Sequence, residues 1–280
     1  MRRKDFLRNS GLMIAGGMAF GFHPVATAGE RARVADGPAS FPIYDLHVHT
    51  SGRQNPQKIL EKAREHNIQM FGIVDNVAST YGIQNDEELL YFINALKDLP
   101  CYIGLQPMEI GWSKRFTREL LDKIDYVIMD PQTVPDSNRY GDTAEVWEHD
   151  CYIPDAEEFM EVNMRYYMKV INNPEPLDIF GWPLFLPPAI ARDYHRLWTR
   201  ERQEMVIEAV RQRGIAIEIN DLARTPHAEF ILKAKQAGVK FTFGSDTRDH
   251  RTFRLDYCKQ IASLCGLTEA DFYIPARKAR

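Results

Sequence analysis

Seven short apolar runs, each closing on a polar or aromatic side chain, constrain this chain more than any other feature. They are IYDLHVH (43–49), QMFGIVDN (69–76), CYIGLQPMEI (101–110), DYVIMDP (125–131), DIFGWP (178–183), IAIEIN (215–220) and KFTFGSD (240–246). Each has the length and content of a β-strand. Helical patterns separate most of them. NPQKILEKAREHN sets Ile59, Leu60 and Ala63 on one face. TRERQEMVIEAVRQRG does the same with Met205, Val206, Ala209 and Val210, and stops at Gly214. TPHAEFILKAKQAG has Pro226 near its start and Gly238 at its end. Seven β-α units predict an α/β chain folded as one distorted TIM-like (β/α)7 barrel, with seven strands where eight are usual. An open doubly wound sheet is the competing arrangement.

A parallel barrel gathers its functional residues at the C-terminal ends of its strands. His47 and His49 end the first run, Asp75 and Asn76 the second, Glu109 the third and Asp130 the fourth. Trp182 ends the fifth, Glu218 and Asn220 the sixth, and Asp246 the seventh. Residues two apart on a strand point to the same side, so His47 and His49 can bind one ion together. Imidazole suits zinc, and the carboxylates of Glu109 and Asp246 widen the choice to manganese or iron. The expectation is one divalent ion held by His47, His49, Glu109 and Asp246.

The motifs DLHVHTSG, GLQPMEI, IEIND and FGSD, in that order, resemble the polymerase and histidinol phosphatase (PHP) superfamily of metal-dependent phosphoesterases. The resemblance runs from about residue 43 to 260. It implies a distorted seven-stranded barrel, up to three metal ions and cleavage of phosphate esters. It also implies that His47, His49, Glu109 and Asp246 form the first metal site, complete in this chain. The second site would need histidines where Asp130 and Trp182 stand, leaving Asp130 as a weak contributor. The third would need them near Asn55, at Asn76 and at Arg248. One site is therefore intact and two are dismantled.

An arginine in place of a metal ligand puts a fixed cation where a cation once sat. Arg248 is expected to bind an anionic group of the substrate, with Arg224 as a weaker assistant. His250 is a candidate displaced ligand. The long connection after the fourth strand, PQTVPDSNRYGDTAEVWEHDCYIPD, is long enough for a lid and carries His149, a candidate general acid or base. Asp75 is the alternative base, or an orienting group for a ligand histidine. Trp182 either floors a substrate pocket or fills the volume of the second metal.

Residues 1–28 read as an export signal, followed by a linker over 29–40 and the barrel over 41–280. MRRKDFLRNSG is basic, LMIAGGMAFGF is apolar, and Ala26 and Ala28 supply a small-residue cleavage pattern. RRKDFLR resembles a twin-arginine signal with Lys4 in place of the second arginine, so both export routes stay open. The destination is the periplasm or the exterior. Removing four basic residues and one acidic residue from 35 and 39 leaves 31 and 38, a net charge of −7. That field does not draw the chain to nucleic acid, and no segment beyond the export signal has the length or apolarity of a membrane span. Cys101, Cys151, Cys258 and Cys265 form no metal-binding spacing and read as small hydrophobes.

Three functional readings follow. The first is an exported metal-dependent hydrolase acting on a phosphoester of a small anionic molecule. The second keeps the metal and changes the bond to an amide, lactone or C–C bond. The third is a noncatalytic metal- or ligand-binding protein.

Overall fold

The computed structural model describes residues 41–51, 54–135, 144–249 and 251–280. The expected export signal, the linker and His250 lie outside them. Strand β1 (Tyr44–His49) leads to helix α1 (Pro56–Glu65), capped by Asn55 Oδ1 accepting from Lys58 N at 3.0 Å. The alternation continues through β2 (Met70–Val77), α2 (Asp86–Leu96), β3 (Tyr102–Pro107), α3 (Arg118–Leu121) and β4 (Tyr126–Met129). The connection after β4 carries a short antiparallel pair, β5 (Thr133–Val134) and β6 (Ala144–Glu145), before α4 (Ala156–Ile171). Then come β7 (Ile179–Phe180), α5 (Tyr194–Leu197), α6 (Arg200–Arg213), β8 (Ala216–Asn220), α7 (Ala228–Gln236), β9 (Phe241–Gly244) and α8 (Asp256–Leu264).

The seven main strands pair in the order β1-β2-β3-β4-β7-β8-β9, every pair parallel. A doubly wound sheet would reverse its strand order at a switch point; this sheet never does. Its ends meet instead. Asp246 N donates to His47 O at 2.8 Å, and Val48 bridges Thr247 in parallel. The chain is therefore a nearly closed (β/α)7 barrel of TIM-like form.

Alternation along the strands sorts the core. Ile73, Ile103 and Leu105 point out toward one helical layer, and Ile217, Ile219, Phe241 and Phe243 toward another. Leu46, Val74, Tyr126, Ile128, Ile179 and Ala216 pack inside. Tyr126 fills the centre because Gly72 and Gly104 flank it; a Cβ at either would come within 2.2 and 2.5 Å of its phenol. Its Oη donates to Leu46 O at 2.7 Å.

One strand breaks the alternation. The β1–β2 register shifts between Asp45 and Val48. Leu46 faces the interior and Val48 the outer layer, yet His47 and His49 both reach inward partners. The irregularity turns His47 onto the face it would otherwise leave. Asp45 holds it there: its Oδ1 accepts from His47 N and from Ser245 N, each at 3.1 Å, tying β1 to the segment after β9.

The helical faces differ in one place from the periodic pattern. On α6 the buried set is Gln203, Val206, Ile207, Ala209 and Val210, while Met205 is 51% exposed. Gln203 takes the inward position because its amide donates to Trp198 O at 2.8 Å. The four cysteines are free thiols, three of them buried. No helix among the described residues is long and apolar enough to cross a membrane.

Candidate metal centre

Five buried titratable side chains converge at the C-terminal end of the barrel: His47, His49, Asp130, Glu218 and Asp246. His47 Nε2 lies 3.3 Å from Asp246 Oδ1, and His49 Nε2 lies 3.6 Å from the same oxygen. Both Nε2 atoms are buried and lack a hydrogen-bond partner among the described residues. Two imidazole nitrogens and a carboxylate oxygen thus gather within 4.8 Å. This donor set fits zinc, manganese or ferrous iron, and leaves further coordination positions for water or substrate.

Glu218 has a different task. Its Oε1 meets His47 Nδ1 at 2.6 Å and its Oε2 accepts from Trp182 N at 2.9 Å. With both oxygens engaged, Glu218 orients the imidazole and fixes the tautomer that presents Nε2. Asp246 is oriented in the same manner: Trp182 Nε1 donates to its Oδ2 at 2.5 Å, leaving Oδ1 for the histidines. Asp130 also approaches His47 Nε2, with Oδ2 at 4.0 Å from it and Oδ1 buried and unpartnered. His47, Asp130 and Glu218 form a second group with metal-binding spacing, sharing His47 with the first.

Two glycines make room for this layer. A Cβ on Gly244 would lie 1.9 Å from Glu218 Oε1 and 2.8 Å from His47 Cβ. A Cβ on Gly181 would lie 1.8 Å from Asp130 Oδ1.

The electrostatics call for a cation. Three buried carboxylates face two imidazoles. Burial opposes protonation of His47, yet Asp246, Glu218 and Asp130 outweigh it and hold its pKa well above the ordinary histidine value. Burial, then the Arg248 charge, pushes His49 down to about 3, so it stays a neutral donor. Burial drives Asp130 well above the usual carboxylate range, reinforced by Glu218 and Asp246. Burial would raise Asp246 too, but the two histidines outweigh it and keep it ionised.

The other expected residues fall into place unevenly. Glu109 stays out of the cluster. β3 ends at Pro107, and Glu109 lies beyond it, over a third exposed and ion-paired with Arg115. The inward residue of β3 is Gln106, which donates to Asp130 Oδ2 at 2.6 Å. His149 is exposed on the turn after β6, and the buried cluster forms without it. Arg224 is exposed in the turn after β8, where its charge acts on Asp221 and Tyr257 rather than on the cluster. Trp182 is part of the site as a hydrogen-bond donor to Asp246, not as an open pocket floor. Asp75 accepts from Asn76 N at 2.8 Å, and burial pushes it up to about 6. Arg248 Nη2 donates to Asn76 Oδ1 at 2.8 Å. Of the three positions read as lost third-metal ligands, Asn76 and Arg248 are bonded to each other and Asn55 caps α1.

Glu218, Gln106 and Asp45 are site residues to which the sequence assigned no role. The signal for the first was its place in IEIN, two before Asn220 on the inward face of an otherwise apolar strand. Gln106 has the same signature in YIGLQP.

Fold and site together define a (β/α)7 barrel with a buried histidine-carboxylate cluster at its C-terminal strand ends. No protein-family model matches the chain, and no curated protein matches it. Among solved structures, a chain of an archaeal ribonuclease P complex with mature tRNA aligns over 81% of this chain and 90% of its own, at 12% identity and TM-score 0.35. An HpcH/HpaI aldolase from Desulfitobacterium hafniense DCB-2 aligns over 81% and 94%, at 11% identity and TM-score 0.38.

Proposed function

We propose that this protein is an exported metal-dependent hydrolase of the polymerase and histidinol phosphatase type, using one divalent ion on a small anionic substrate. The observation that carries the reading is the convergence of His47 Nε2, His49 Nε2 and Asp246 Oδ1, with both imidazole nitrogens otherwise unpartnered. These three residues would hold the ion. A bound divalent ion supplies Lewis acidity and brings the pKa of a water to about 7.

The remaining residues divide the work. Glu218 keeps His47 in the tautomer that faces the ion, and Trp182 holds Asp246 by its outer oxygen. Asp130 Oδ1 is buried and unpartnered beside His47, and would accept a proton from water once a bound cation offset the burial and the carboxylates that raise its pKa. Arg248 offers its guanidinium to a phosphoryl or carboxylate oxygen. The ring of buried side chains below keeps bulk water out of the barrel.

Metal analysis of the purified chain tests this, combined with turnover of phosphomonoesters, phosphodiesters, amides and lactones. One zinc, manganese or iron per chain is expected, lost in His47→Ala and His49→Ala together with phosphoester turnover. Three ions per chain, or none, would overturn the single-ion reading. Turnover of an amide or lactone alone would move the chemistry to another bond.

A further inference from the structure

Four polar side chains cross the barrel mouth in one unbroken line. Arg248 Nη2 donates to Asn76 Oδ1 at 2.8 Å, Asn76 Nδ2 to Gln106 Oε1 at 2.6 Å, and Gln106 Nε2 to Asp130 Oδ2 at 2.6 Å. The two ends set its direction. A guanidinium only donates and a carboxylate accepts, so each amide between them has one allowed orientation. The line follows from the sheet. Asn76 and Gln106 are paired residues of β2 and β3, and both occupy inward positions. Both are buried, where two unbonded amides would be costly, so the line stands or falls as a unit.

Neither amide is a metal ligand in the cluster, and neither can transfer a proton at neutral pH. What they do hold is Arg248. Among the described residues its side chain makes this one hydrogen bond, which leaves the rest of the guanidinium fork uncommitted. Its backbone is tied down as well, with Arg248 O accepting from Ser51 Oγ at 3.1 Å. The guanidinium charge acts on His49, Asp75 and Asp246 at the rim of the metal cluster. An arginine on a mobile loop would lose rotamer freedom on gripping an anion; one already fixed has met that cost.

We propose that Asn76 and Gln106 are positioning residues of an amide relay that runs from Asp130 to Arg248 and presets the guanidinium for a tetrahedral oxyanion group beside the metal cluster. The proposal rests on the reading of Arg248 as the anion-binding group. It makes Gln106, which touches neither Arg248 nor the anion, a determinant of anion affinity.

Inorganic phosphate titrated calorimetrically into the zinc-loaded chain tests it. Gln106→Met breaks the relay one link away from Arg248, and Asn76→Leu breaks it at the contact. Each is expected to weaken phosphate binding by about tenfold with zinc stoichiometry unchanged. In an Arg248→Met background, Gln106→Met is expected to have no further effect, an outcome that mere structural loosening would not give. A loss under twofold, or the same loss in both backgrounds, overturns the relay. Zinc binding without phosphate binding in the unmutated chain also overturns it, while leaving the single-ion reading in place. If zinc does not bind, the single-ion reading fails, and the same comparison on the metal-free chain still decides the relay.

Discussion

Trp182 Nε1 donates to Asp246 Oδ2 at 2.5 Å, so the opposite oxygen of that carboxylate faces His47 at 3.3 Å and His49 at 3.6 Å. The indole and the imidazoles thus share one carboxylate from two sides. Trp182 sits with a positive φ of 41° and Asp246 with 47°, so both chain segments turn sharply to make the contact.

Trp182→Phe tests that contact. The ring volume is largely kept and the N–H is lost. Asp246 Oδ2 then keeps only the longer bond from Asn220 Nδ2 at 3.5 Å, and affinity for zinc is expected to fall roughly 10- to 100-fold, the usual cost of losing a group that orients a ligand. Competition against a chromogenic chelator measures it. An unchanged zinc affinity would show that the indole is only filling space.

Glu218→Gln separates orientation from charge. Both carboxylate oxygens accept N–H bonds, from His47 Nδ1 at 2.6 Å and from Trp182 N at 2.9 Å. An amide has one oxygen, so one of the two donors is left facing an NH2. The metal-free variant should lose about 1–3 kcal/mol of stability, the cost of a buried donor without its acceptor. Zinc affinity should fall roughly 10- to 100-fold. Urea unfolding with chelator present, and zinc competition, read the two effects separately.

Gly244→Ala probes the room beneath the site. The new Cβ would come 1.9 Å from Glu218 Oε1 and 2.8 Å from His47 Cβ. Glu218 is anchored at both oxygens, and His47 Cβ is attached directly to the backbone, so neither yields cheaply. Overpacking of this kind costs about 1–3 kcal/mol, and zinc binding should be lost along with it. A variant that binds zinc normally would mean that the strand ends can spread.

The barrel and half of its site were legible from periodicity. Apolar alternation with polar closures locates strand ends, and the His47–His49 spacing locates the centre. What was not legible depends on where a strand stops and where it slips. Glu109 looked like the closing residue of its strand, but the ladder ends at Pro107 and the inward position belongs to Gln106. The i, i+2 rule puts His47 and His49 on one side, yet it says nothing of Leu46, which shares that side only because the register shifts there. Met205 was assigned to the buried face of its helix by apolarity alone; the polar Gln203 displaced it by finding a carbonyl to bond. Glu218 was visible as a strand-end carboxylate, but its role depends on a partner 171 residues away in the chain.

Asp75 gives the fold a pH dependence of unusual sign. Burial pushes its carboxyl up to about 6, with Arg248 acting in the opposite direction. An aspartate in an unfolded chain titrates near 4. Between those values the folded state holds the proton more firmly than the unfolded state does, so stability falls as pH rises. The penalty is absent below about pH 4, grows through pH 6 and is complete above it. Asp75→Asn mimics the protonated form, keeping the acceptor for Asn76 N and removing the titration. Urea unfolding of both proteins, with chelator present throughout, should give equal stabilities near pH 4. The variant should then become progressively the more stable of the two up to pH 7. A difference that stays constant across this range would show that Asp75 ionises without penalty, and that Arg248 or solvent offsets its burial in full.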